Sequence, residues 1–578
     1  MIGINEVLLK HDSEWLYFSH PYKILQAESV HDVRQTLREV ELLVNTNDWY
    51  AAGFVSYEAA PAFDGALQVV KSEGFPLIWF GLYPKPSAIE LPSSEHKPAP
   101  LNWQAGIERE SYNTAIEKIK DAIAKGLTYQ VNYTMRLSTD SVTDSRMKTD
   151  EGDWELFLHL VQNQNKYAAF INTEKYAICS ASPELFFNLD GNKIYSQPMK
   201  GTAKRGRTTQ EDKAQMEWLR NSIKNRAENV MIVDMIRNDI GRIAEIGSVH
   251  VPELFAVEKY ATLFQMISTV QAKTKASLEE IFSALFPCAS ITGAPKVSTM
   301  KIISELETTP RKIYTGSIGY IFPNRKARFN VAIRTALVDK TNQQAEYGVG
   351  GGIVWDSTSA DEYSEALLKA RVLTERPREF SLFETLLWTP NEGYFLLENH
   401  IARMEDSADY FDIPFSREKL EDFAHQIASG YTSPKRIKFF LNQRGDFSEE
   451  TKDFQIEQKI FMVRLAERPI DSNNIFLFHK TTQRDFYPAL STGQDETLLF
   501  NEKNELTEFT IGNLVVEMGG ERLTPPVTCG LLPGTFRRWL LETGQIQERI
   551  LHTDELANCS KIFLVNSLRK WVEVEIKK

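Results

Sequence analysis

Two lysines in this sequence stand where an amine could act as a nucleophile. The first, Lys200, lies in SQPMKGTAKRG, between Met199 and the turn-forming pair Gly201-Thr202. A lysine held by a glycine turn behind apolar residues can be partly desolvated, and desolvation favours the neutral, nucleophilic amine. A lysine beside a glycine is more often a solvated loop residue, because lysine is rarely buried. The chemical interpretation of Lys200 therefore depends on the residues that surround it.

The second lysine, Lys480, follows a strand-like run in FLFHKTTQRDFY, and Glu508 lies in a later strand-like run, LTEFTIGNLVV. A lysine that can form a Schiff base and a carboxylate that can pair with a pyridine nitrogen are the two groups that a pyridoxal phosphate enzyme requires. Exposed surface residues are the ordinary explanation for an isolated lysine and an isolated glutamate. This pair alone permits cofactor chemistry without establishing it.

Three charged residues after the glycine run YGVGGGIVWDS have helical spacing. Glu362, Glu365 and Lys369 are spaced i, i+3 and i+7, so a helix places them on one face. A solvated charged face is the usual reason for such spacing. However, the glycine run precedes them closely and could lend backbone N–H groups to an anion. Another carboxylate, Glu228, interrupts an apolar helical pattern, and carboxylates from separate helices suit Mg²⁺.

The elements that must position these residues are mixed α and β. Residues 1–83 predict a small sheet with one helix at HDVRQTLREVELLVN, and the Pro- and Ser-rich residues 84–100 predict an exposed connection. Asp190-Gly191 predicts a hairpin, so that Lys200 follows an edge or terminal strand. Residues 209–245 predict the helix that carries Glu228, and another helix begins near Pro295. After a charged, Pro-containing tract, the remainder alternates strands (IKFFLN, QKIFMVRLA, NNIFLFH, NLVVEM) with helices.

Length and composition limit the class of protein. A chain of 578 residues is too long for one ordinary core, and we predict two domains, 1–375 and 376–578. The net charge of −12 argues against nucleic acid as a partner. The absence of long apolar runs and of a secretion signal predicts a cytoplasmic protein without a membrane partner. Four widely separated cysteines are typical of reduced thiols.

Eight ordered motifs carry a family resemblance over about residues 100–375. They are YQVNYTMRL, SASPELFF, PMKGTAKRG, RAENVMIVDMIRNDIGR, CASITGAPK, YTGSIGY, FNVAIRTALV and GVGGGIVWDSTSADEYSEALLKA. In this order they resemble the chorismate-utilising enzymes. The lysine of the PxKGT motif resembles the aminodeoxychorismate synthase branch, whereas anthranilate synthases carry alanine there. The resemblance implies an α+β fold of large antiparallel sheets packed with helices.

The resemblance also implies roles for individual residues. Lys200 would add to ring carbon 2 of chorismate as the 4-hydroxyl leaves, with Glu184 as the acid, and ammonia would then attack carbon 4. Glu228 and Glu365, with Glu362 beside them, would hold Mg²⁺ and through it the ring carboxylate. The substrate-binding residues would be Arg334, Lys369, Tyr320, Thr292 and the glycines Gly350, Gly351 and Gly352.

Three positions depart from the family pattern, and the sequence lacks the motif of a glutamine amidotransferase. Gln265 replaces a histidine, Leu127 replaces an acidic residue, and Cys288-Ala289 stands where Gly-Ser-like residues are frequent. We expect altered affinity rather than lost chemistry. No cysteine lies in the glycine-rich elbow of a glutamine amidotransferase, so we expect ammonia to come from a separate glutaminase subunit.

The second half resembles the class IV aminotransferase-like family, and in particular its aminodeoxychorismate lyases, through SLFETLL, ENHIARMEDSADYF and LTPPVTCGLLPGTFRR. This implies a smaller α/β domain of pyridoxal phosphate fold type IV. Lys480 would bond the cofactor aldehyde and Glu508 would pair with its pyridine nitrogen, while Arg403 and the Gly534-Thr535 turn would hold its phosphate. The implied two-step route leads from chorismate to 4-aminobenzoate, for folate, with release of pyruvate.

Several alternatives remain open at this point. The first half could be another chorismate enzyme, of the anthranilate or isochorismate type, although Lys200 disfavours this. The second half could be a silent binding module, or an aminotransferase for D- or branched-chain amino acids.

Overall fold

The computed structural model describes residues 2–91, 101–139, 150–162, 166–374, 379–455, 461–485, 487 and 496–577. The chain forms two compact units. The first unit contains Met1–Ala203 and Glu217–Pro377, and the second contains Lys204–Met216 and Arg378–Lys578. The domain boundary that the sequence predicts near residue 376 lies outside the described residues, as does most of the predicted connection at 84–100.

The first unit begins with two hairpin-rich stretches separated by one long helix. Its elements up to the lysine-bearing strand are β1 (Glu6–His11), β2 (Glu14–Phe18), β3 (Lys23–Ala27), α1 (Val30–Asn47), β4 (Tyr50–Val55), α2 (Ala60–Phe63), β5 (Ile78–Tyr83), β6 (Ser87–Ile89), β7 (Trp103–Ala105), α3 (Arg109–Ala124), β8 (Gln130–Thr139), α4 (Asp150–Val161), β9 (Tyr167–Asn172), β10 (Tyr176–Ser182), β11 (Leu185–Asp190), β12 (Lys193–Gln197) and β13 (Met199–Lys204). The elements that follow along the chain are α5 (Thr209–Asn221), α6 (Ile223–Gly241), β14 (His250–Lys259), β15 (Leu263–Lys273), α7 (Leu278–Leu285), β16 (Gly293–Ala294), α8 (Lys296–Leu306), β17 (Ser317–Phe322), β18 (Lys326–Val331), β19 (Thr335–Asp339), β20 (Gln344–Ile353) and α9 (Ser359–Ala370). The part of α5 up to Met216 belongs to the second unit.

Two ten-stranded antiparallel sheets organise the first unit. One runs β16-β8-β20-β19-β10-β9-β1-β2-β6, with β7 paired to β8, and the other runs β13-β15-β12-β11-β18-β17-β4-β5-β3, with β14 paired to β15. Side chains from both sheets share one buried core, and a separate core joins each sheet to its own helices. The predicted α+β class with large antiparallel sheets is confirmed for this unit.

Helix α1 shows how the apolar pattern produces the fold. At the N-terminus of the helix, the Ser29 side chain accepts a hydrogen bond from the His31 N–H. The apolar residues at helical spacing are all buried, as predicted: Val33, Leu37, Val40 and Val44. The helical pattern at 209–245 instead forms two helices, α5 and α6, because Ser222 caps the second one. The hairpin at Gly191 is present, with β11 paired to β12.

The second unit contains a four-stranded and an eight-stranded sheet. Its elements are β21 (Leu382–Thr389), β22 (Gly393–Tyr394), α10 (Leu397–Phe411), α11 (Arg417–Ala428), β23 (Lys435–Leu441), β24 (Phe447–Asp453), β25 (Phe461–Leu465), β26 (Glu496–Phe500), β27 (Leu506–Phe509), β28 (Gly512–Met518), β29 (Glu521–Thr524), α12 (Thr535–Glu542), β30 (Gln547–Glu548), β31 (Lys561–Asn566) and β32 (Lys570–Ile576). The larger sheet runs β27-β26-β25-β32-β31-β28-β29-β30, and an extra pairing of β27 with β28 closes its first six strands into a ring. Predicted strands IKFFLN, QKIFMVRLA and NLVVEM lie in β23, β25 and β28, but NNIFLFH forms a 3-10 turn at Ile475–Leu477 instead. Asn474 caps that turn by accepting from the Phe476 N–H, a local bond that competes with a strand ladder.

The segment Lys204–Met216 is the unexpected part of the second unit, because it directly follows the strand that carries Lys200. Arg205 forms a buried ion pair with Asp212 at 2.5 Å and donates to the backbone oxygen of Tyr410 at 2.8 Å. The Tyr410 hydroxyl in turn donates to the oxygen of Gly206 at 2.7 Å. The ring of His479, next to Lys480, lies 3.1 Å from the oxygen of Arg207. This segment is therefore built into the second unit through α10 and the residues that lead to Lys480.

Within the described part of the chain, no helix combines the length and the apolar character that crossing a membrane requires.

Candidate active sites

Lys200 lies inside β13, the terminal strand of its sheet, and not in a loop after a strand as the sequence predicted. Pairing of β13 with β15 extends the strand through the motif. The half-buried side chain points to the other sheet, where its Nζ lies 2.9 Å from the position that a Cβ on Gly352 would take. A glycine at 352 thus gives the amine room that any other residue would fill.

Burial lowers the pKa of the Lys200 amine below its usual range, and the positive charge of Lys369 adds to that effect. Three carboxylates act in the opposite direction: Glu228, Glu184 and Glu365. The sequence predicted all five of these residues for one site, and the structure places the charges of the other four within electrostatic range of Lys200.

The glycine run lies on β20 between β8 and α9. Gly350, Gly351 and Gly352 pair with β8, whereas the pairing of β20 with β19 covers only Gln344 to Tyr347. On the side of β20 away from β8, none of the described strands therefore pairs with the glycine run. The backbone N–H groups on that side can bind an anion. Lys369 Nζ donates to the Gly350 oxygen at 2.9 Å, so a cation lies beside the run.

Glu184 is buried directly after β10 and next to the lysine. Burial raises its pKa to about 7, although Ser290 and Lys200 both act to lower it. Its Oε1 has no hydrogen-bond partner among the described residues. A carboxyl group with this pKa is half protonated at neutral pH and can donate a proton there.

Gln130 is a residue of this site that the sequence reasoning missed, although it lies in the quoted motif YQVNYTMRL. It is 1% exposed, and neither atom of its amide has a hydrogen-bond partner within the described structure. Its Nε2 lies 2.6 Å from the Cβ position of Gly352, on the side where Lys200 Nζ also lies. A buried amide with no partner is costly, so this amide is placed to bond a molecule entering the site.

The three carboxylates predicted to hold Mg²⁺ have the right donor type but are not gathered into one ligand set. Ser357 donates to Glu362 at 2.6 Å, and Lys369 pairs with Glu365 at 2.8 Å. Burial and the charge of Glu365 raise the pKa of Glu362. Burial also acts to raise the pKa of Glu365, but Lys369 and Lys200 outweigh it and hold that pKa below its usual range. The described residues contain no group of three or more acidic, histidine or cysteine side chains arranged around one metal position.

Arg334 and Thr292 are two further residues that the sequence predicted to bind the substrate. Arg334 has a left-handed backbone conformation (φ 50°), and burial lowers its pKa while Tyr347 and Tyr260 act to raise it. Thr292 is fully buried, and its hydroxyl donates to the Cys288 oxygen at 3.1 Å.

Tyr320 lies on β17, in the core shared by the two sheets. Its hydroxyl lies 2.6 Å from His11 Nδ1, and no described contact joins it to the lysine. The nearby Tyr314 instead packs its ring where a Cβ on Gly348, in the glycine-rich strand, would lie. The sequence repeats a tyrosine in YTGSIGY, and the structure brings the first of the pair to the glycine run.

In the second unit, Lys480 lies where a short loop meets β21. Its backbone oxygen accepts from the Phe383 N–H at 2.9 Å, and its Nζ lies 4.8 Å from the centre of the Phe383 ring. Burial lowers the pKa of the Lys480 amine to about 7, and the charges of Arg484 and Arg403 contribute. Much of this amine is therefore neutral at physiological pH.

Glu508 lies on β27, as predicted, and its carboxylate is fully engaged. One oxygen accepts from Tyr487 Oη at 2.8 Å, and the other accepts from Asn513 Nδ2 and the Leu532 N–H, each at 3.2 Å. Burial nevertheless raises its pKa to about 7. A protonated pyridine nitrogen would pair well with such a buried carboxylate.

Arg403 is joined to the Gly534-Thr535 turn through a buried carboxylate. Arg403 donates to Glu384 through Nε at 2.8 Å and Nη2 at 2.5 Å, and to the Pro533 oxygen at 3.2 Å. His400 bonds Glu384 at 2.6 Å and lies 3.2 Å from Thr535 Oγ1. Burial would raise the pKa of Glu384, but Arg403 and His400 outweigh it and hold that pKa at about 2.

These residues fit pyridoxal phosphate. Gly534 caps α12, and a Cβ there would lie 1.9 Å from Asn513 Oδ1, so only glycine leaves the helix N-terminus open to a phosphate. Arg403 supplies a cation beside that terminus. The charges of both Glu508 and Arg403 act on the pKa of Lys480. The Lys480 amine is thus within electrostatic range of both the Glu508 carboxylate and the guanidinium group that contacts the turn.

Comparisons with known proteins agree with this geometry. Residues 5–375 match the family described as chorismate binding enzyme, and residues 381–576 match amino-transferase class IV. Aminodeoxychorismate synthase component 1 of Escherichia coli (strain K12) is 41% identical over 279 residues, which cover 47% of this chain and 59% of that protein. The protein of the same name from Bacillus subtilis (strain 168) is 39% identical over 303 residues, covering 51% of this chain and 62% of its own length. In both cases less than two thirds of the relative is spanned.

A solved structure shows the same fold in the first half. Anthranilate synthase component I from Streptococcus pneumoniae TIGR4 superposes with a TM-score of 0.54 and 25% identity, covering 65% of this chain and 93% of that one.

Proposed function

Because this chain belongs to the chorismate binding enzyme family and carries a class IV aminotransferase domain, we propose that it converts chorismate to 4-aminobenzoate in two steps. The first unit would aminate chorismate to 4-amino-4-deoxychorismate, and the second would eliminate pyruvate from that product. The observation that supports this most is the presence in each unit of an amine with a lowered pKa within electrostatic range of a buried carboxyl group whose pKa is near 7.

In the proposed first step, neutral Lys200 attacks ring carbon 2 of chorismate. The new C2–N bond forms as the bond from carbon 4 to its hydroxyl breaks, and protonated Glu184 gives that hydroxyl the proton with which it leaves as water. Ammonia then forms a bond to carbon 4, the C2–N bond breaks, and Lys200 returns as an amine. Burial shifts the pKa of Lys200 in the direction that favours the neutral amine, and the pKa of Glu184, about 7, leaves part of that carboxyl group protonated near neutral pH.

Binding of the substrate carboxylates rests on the residues around the glycine run. Lys369 and Arg334 supply positive charge, and the unpaired edge of β20 supplies N–H groups. The buried amide of Gln130 adds a donor and an acceptor on the lysine side. Ligation of Mg²⁺ by Glu228 and Glu365, with Glu362 beside them, remains a prediction.

In the second unit, pyridoxal phosphate when bound supplies an electron sink for the elimination. Arg403 and the Gly534-Thr535 turn hold the phosphate, and Glu508 holds the pyridine end. The ring proton at carbon 4 passes to the Lys480 nitrogen, and the bond from carbon 3 to the enolpyruvyl oxygen breaks. The released fragment takes up a proton and leaves as pyruvate, and the ring becomes aromatic.

We also infer that ammonia comes from a separate glutaminase subunit. Two relatives are named component 1 of a synthase, which implies a further component. Glutamine-dependent amination by the purified single chain would contradict this.

One assay tests the proposal. Purified protein is incubated with chorismate, ammonium salt, Mg²⁺ and pyridoxal phosphate, and the products are identified by chromatography. We expect 4-aminobenzoate and pyruvate in equal amounts. Anthranilate or isochorismate would overturn the assignment of the first unit, and accumulation of 4-amino-4-deoxychorismate without pyruvate would overturn that of the second.

A further inference from the structure

The backbone around Lys200 is held by side chains that the mechanism does not use. Asn229 on α6 donates from Nδ2 to the Lys200 carbonyl oxygen at 3.2 Å, and Ser268 on β15 donates from Oγ to Asn229 Oδ1 at 2.6 Å. Both side chains are 0% exposed. We propose that Asn229 and Ser268 are positioning residues that fix Lys200 for its attack on the substrate, an inference that rests on the proposed amination of chorismate.

The hydrogen-bond partners determine how this relay is oriented. Ser268 Oγ accepts from the Phe255 N–H at 3.1 Å, so its own hydrogen is free to be donated to Asn229 Oδ1. With its oxygen engaged in this way, the amide must present its NH₂ group to the Lys200 carbonyl. Three elements, β14, β15 and α6, thus act on one backbone atom of the lysine.

The irregular conformation of β14 supports this interpretation. The register between β14 and β15 shifts between Glu253 and Ala256, and Phe255 there has a φ of 62°, which is unfavourable for a bulky residue. The bulge turns the Phe255 N–H towards the Ser268 side chain. Backbone conformations of this cost persist where the surroundings require them, often at functional sites.

The residues on both sides of Lys200 are fixed as well. The Ser268 N–H donates to the Pro198 oxygen at 3.2 Å. Gly201 has a φ of 99°, and a Cβ there would lie 3.1 Å from Asn225 Cβ and 3.2 Å from Met266 Cβ. These contacts therefore restrict lateral movement of the strand at Lys200. The hydrogen bond from Asn229 to the Lys200 carbonyl oxygen restricts the rotation of that peptide group.

Position matters here because the amine must reach a ring carbon while Glu184 reaches the leaving hydroxyl. A displacement of about 1 Å in such an arrangement can lower the rate about 10²-fold. Glu228, one residue before Asn229, is among the carboxylates that act on the Lys200 amine. The same turn of α6 thus influences both the charge and the position of the lysine.

The test uses the full chain and the amination reaction with saturating ammonium. Asn229→Asp replaces the donor with an oxygen that repels the carbonyl, and we expect kcat to fall about 10²-fold while the KM for chorismate changes less than about threefold. Ser268→Ala adds no charge, and we expect a smaller fall of about tenfold. Asn238→Asp, the same change at an exposed position of α6, is the matched control and should leave both constants unchanged.

Two readouts separate positioning from a general structural role. A pure charge effect of Asn229→Asp would move the acidic limb of the pH profile to higher pH, whereas lost positioning lowers the rate without moving that limb. In a Lys200→Ala background, Asn229→Asp should not reduce the residual turnover further. An additional loss there, or an unchanged kcat in both Asn229→Asp and Ser268→Ala, would overturn the inference. If the unmodified chain does not aminate chorismate at all, the proposed function fails instead.

Discussion

At the scale of single residues, the proposed chemistry of the first unit depends on Lys200, whose amine has a pKa below the usual range of lysine. Burial and Lys369 favour the neutral form of Lys200, and the bare Cα of Gly352 leaves space in front of it. The three carboxylates around Lys200 act to raise its pKa and so oppose the effect of burial. Desolvation favours the nucleophilic form of the amine, and the carboxylates oppose this effect without reversing the net shift of the pKa.

Replacing this amine should remove the covalent route. We expect Lys200→Ala to lower formation of 4-amino-4-deoxychorismate by about three orders of magnitude or more, because an oriented nucleophile is lost. Ammonia then has access to carbon 2, and residual product is expected to be anthranilate. Chromatography of the products measures both effects. Lys204→Ala, at an exposed position of the same strand, should behave as the unmodified chain, and unchanged amination by Lys200→Ala would contradict the assignment.

The pH dependence of the first step follows from two opposite requirements. Glu184 donates a proton, so activity falls as pH rises through its pKa of about 7. Lys200 must be neutral, so activity also falls as pH decreases and the amine is protonated. We expect a bell-shaped profile with an alkaline limb near pH 7, measured as covalent attachment of chorismate without ammonia, so that ammonia itself does not titrate. Glu184→Gln should lower this rate about 10²- to 10⁴-fold and abolish the alkaline limb.

At the scale of elements, Glu384 joins β21 to α10 and, through His400, to the start of α12. Its carboxylate is buried and receives bonds from both Arg403 and His400. Removing one partner from a buried ion pair is costly because the other charge remains uncompensated.

Glu384→Gln should therefore weaken both the fold and the phosphate cradle. We expect the free energy of unfolding to fall by about 3–5 kcal/mol, and pyridoxal phosphate to bind more weakly because Arg403 loses its orientation. Denaturant unfolding and titration of the cofactor absorbance measure these effects. The control is Glu398→Gln on α10, the helix that carries Arg403 and His400, because the exposed pair of Glu398 with Arg417 contributes about 0–1 kcal/mol. Equal effects of the two substitutions would show that the buried carboxylate has no special role.

Elements with strong periodicity were predictable from the sequence, and those fixed by distant partners were not. The buried stripe of α1 and the charged face of α9 follow from helical spacing alone. The β13 strand depends on pairing with β15 (Leu263–Lys273), a distant part of the chain. The residues of NNIFLFH favour a strand, but a local cap overrides that preference. The sequence could place Gln130 on a strand. It could not predict that the side-chain amide faces Gly352, because that contact joins two strands that are far apart in the sequence.

At the scale of the whole molecule, the order of residues along the chain differs from their grouping in space. Lys204–Met216 follows the Lys200 strand directly, yet it packs within the second unit. The sequence boundary near residue 376 could not reveal this, because composition shows where a linker lies and not which earlier segment joins the later domain. The contacts are specific: the Arg205 guanidinium lies 4.3 Å from the Tyr410 ring, and that tyrosine bonds the Gly206 oxygen.

The buried ion pair between Arg205 and Asp212 lies within this segment. Arg205→Ala leaves Asp212 buried without its cation, so we expect the second unit to lose about 3–5 kcal/mol of stability, which for a unit of this size lowers its Tm by roughly 10 °C. Calorimetry of the full chain with pyridoxal phosphate should show this loss in the transition that the cofactor stabilises. Lys204→Ala, one position earlier and exposed, serves as the control. Because the Arg207 oxygen also holds His479 beside Lys480, Arg205→Ala should in addition weaken cofactor binding. A cofactor-dependent transition that stays at the same temperature would mean that residues 204–216 contribute nothing to the second unit.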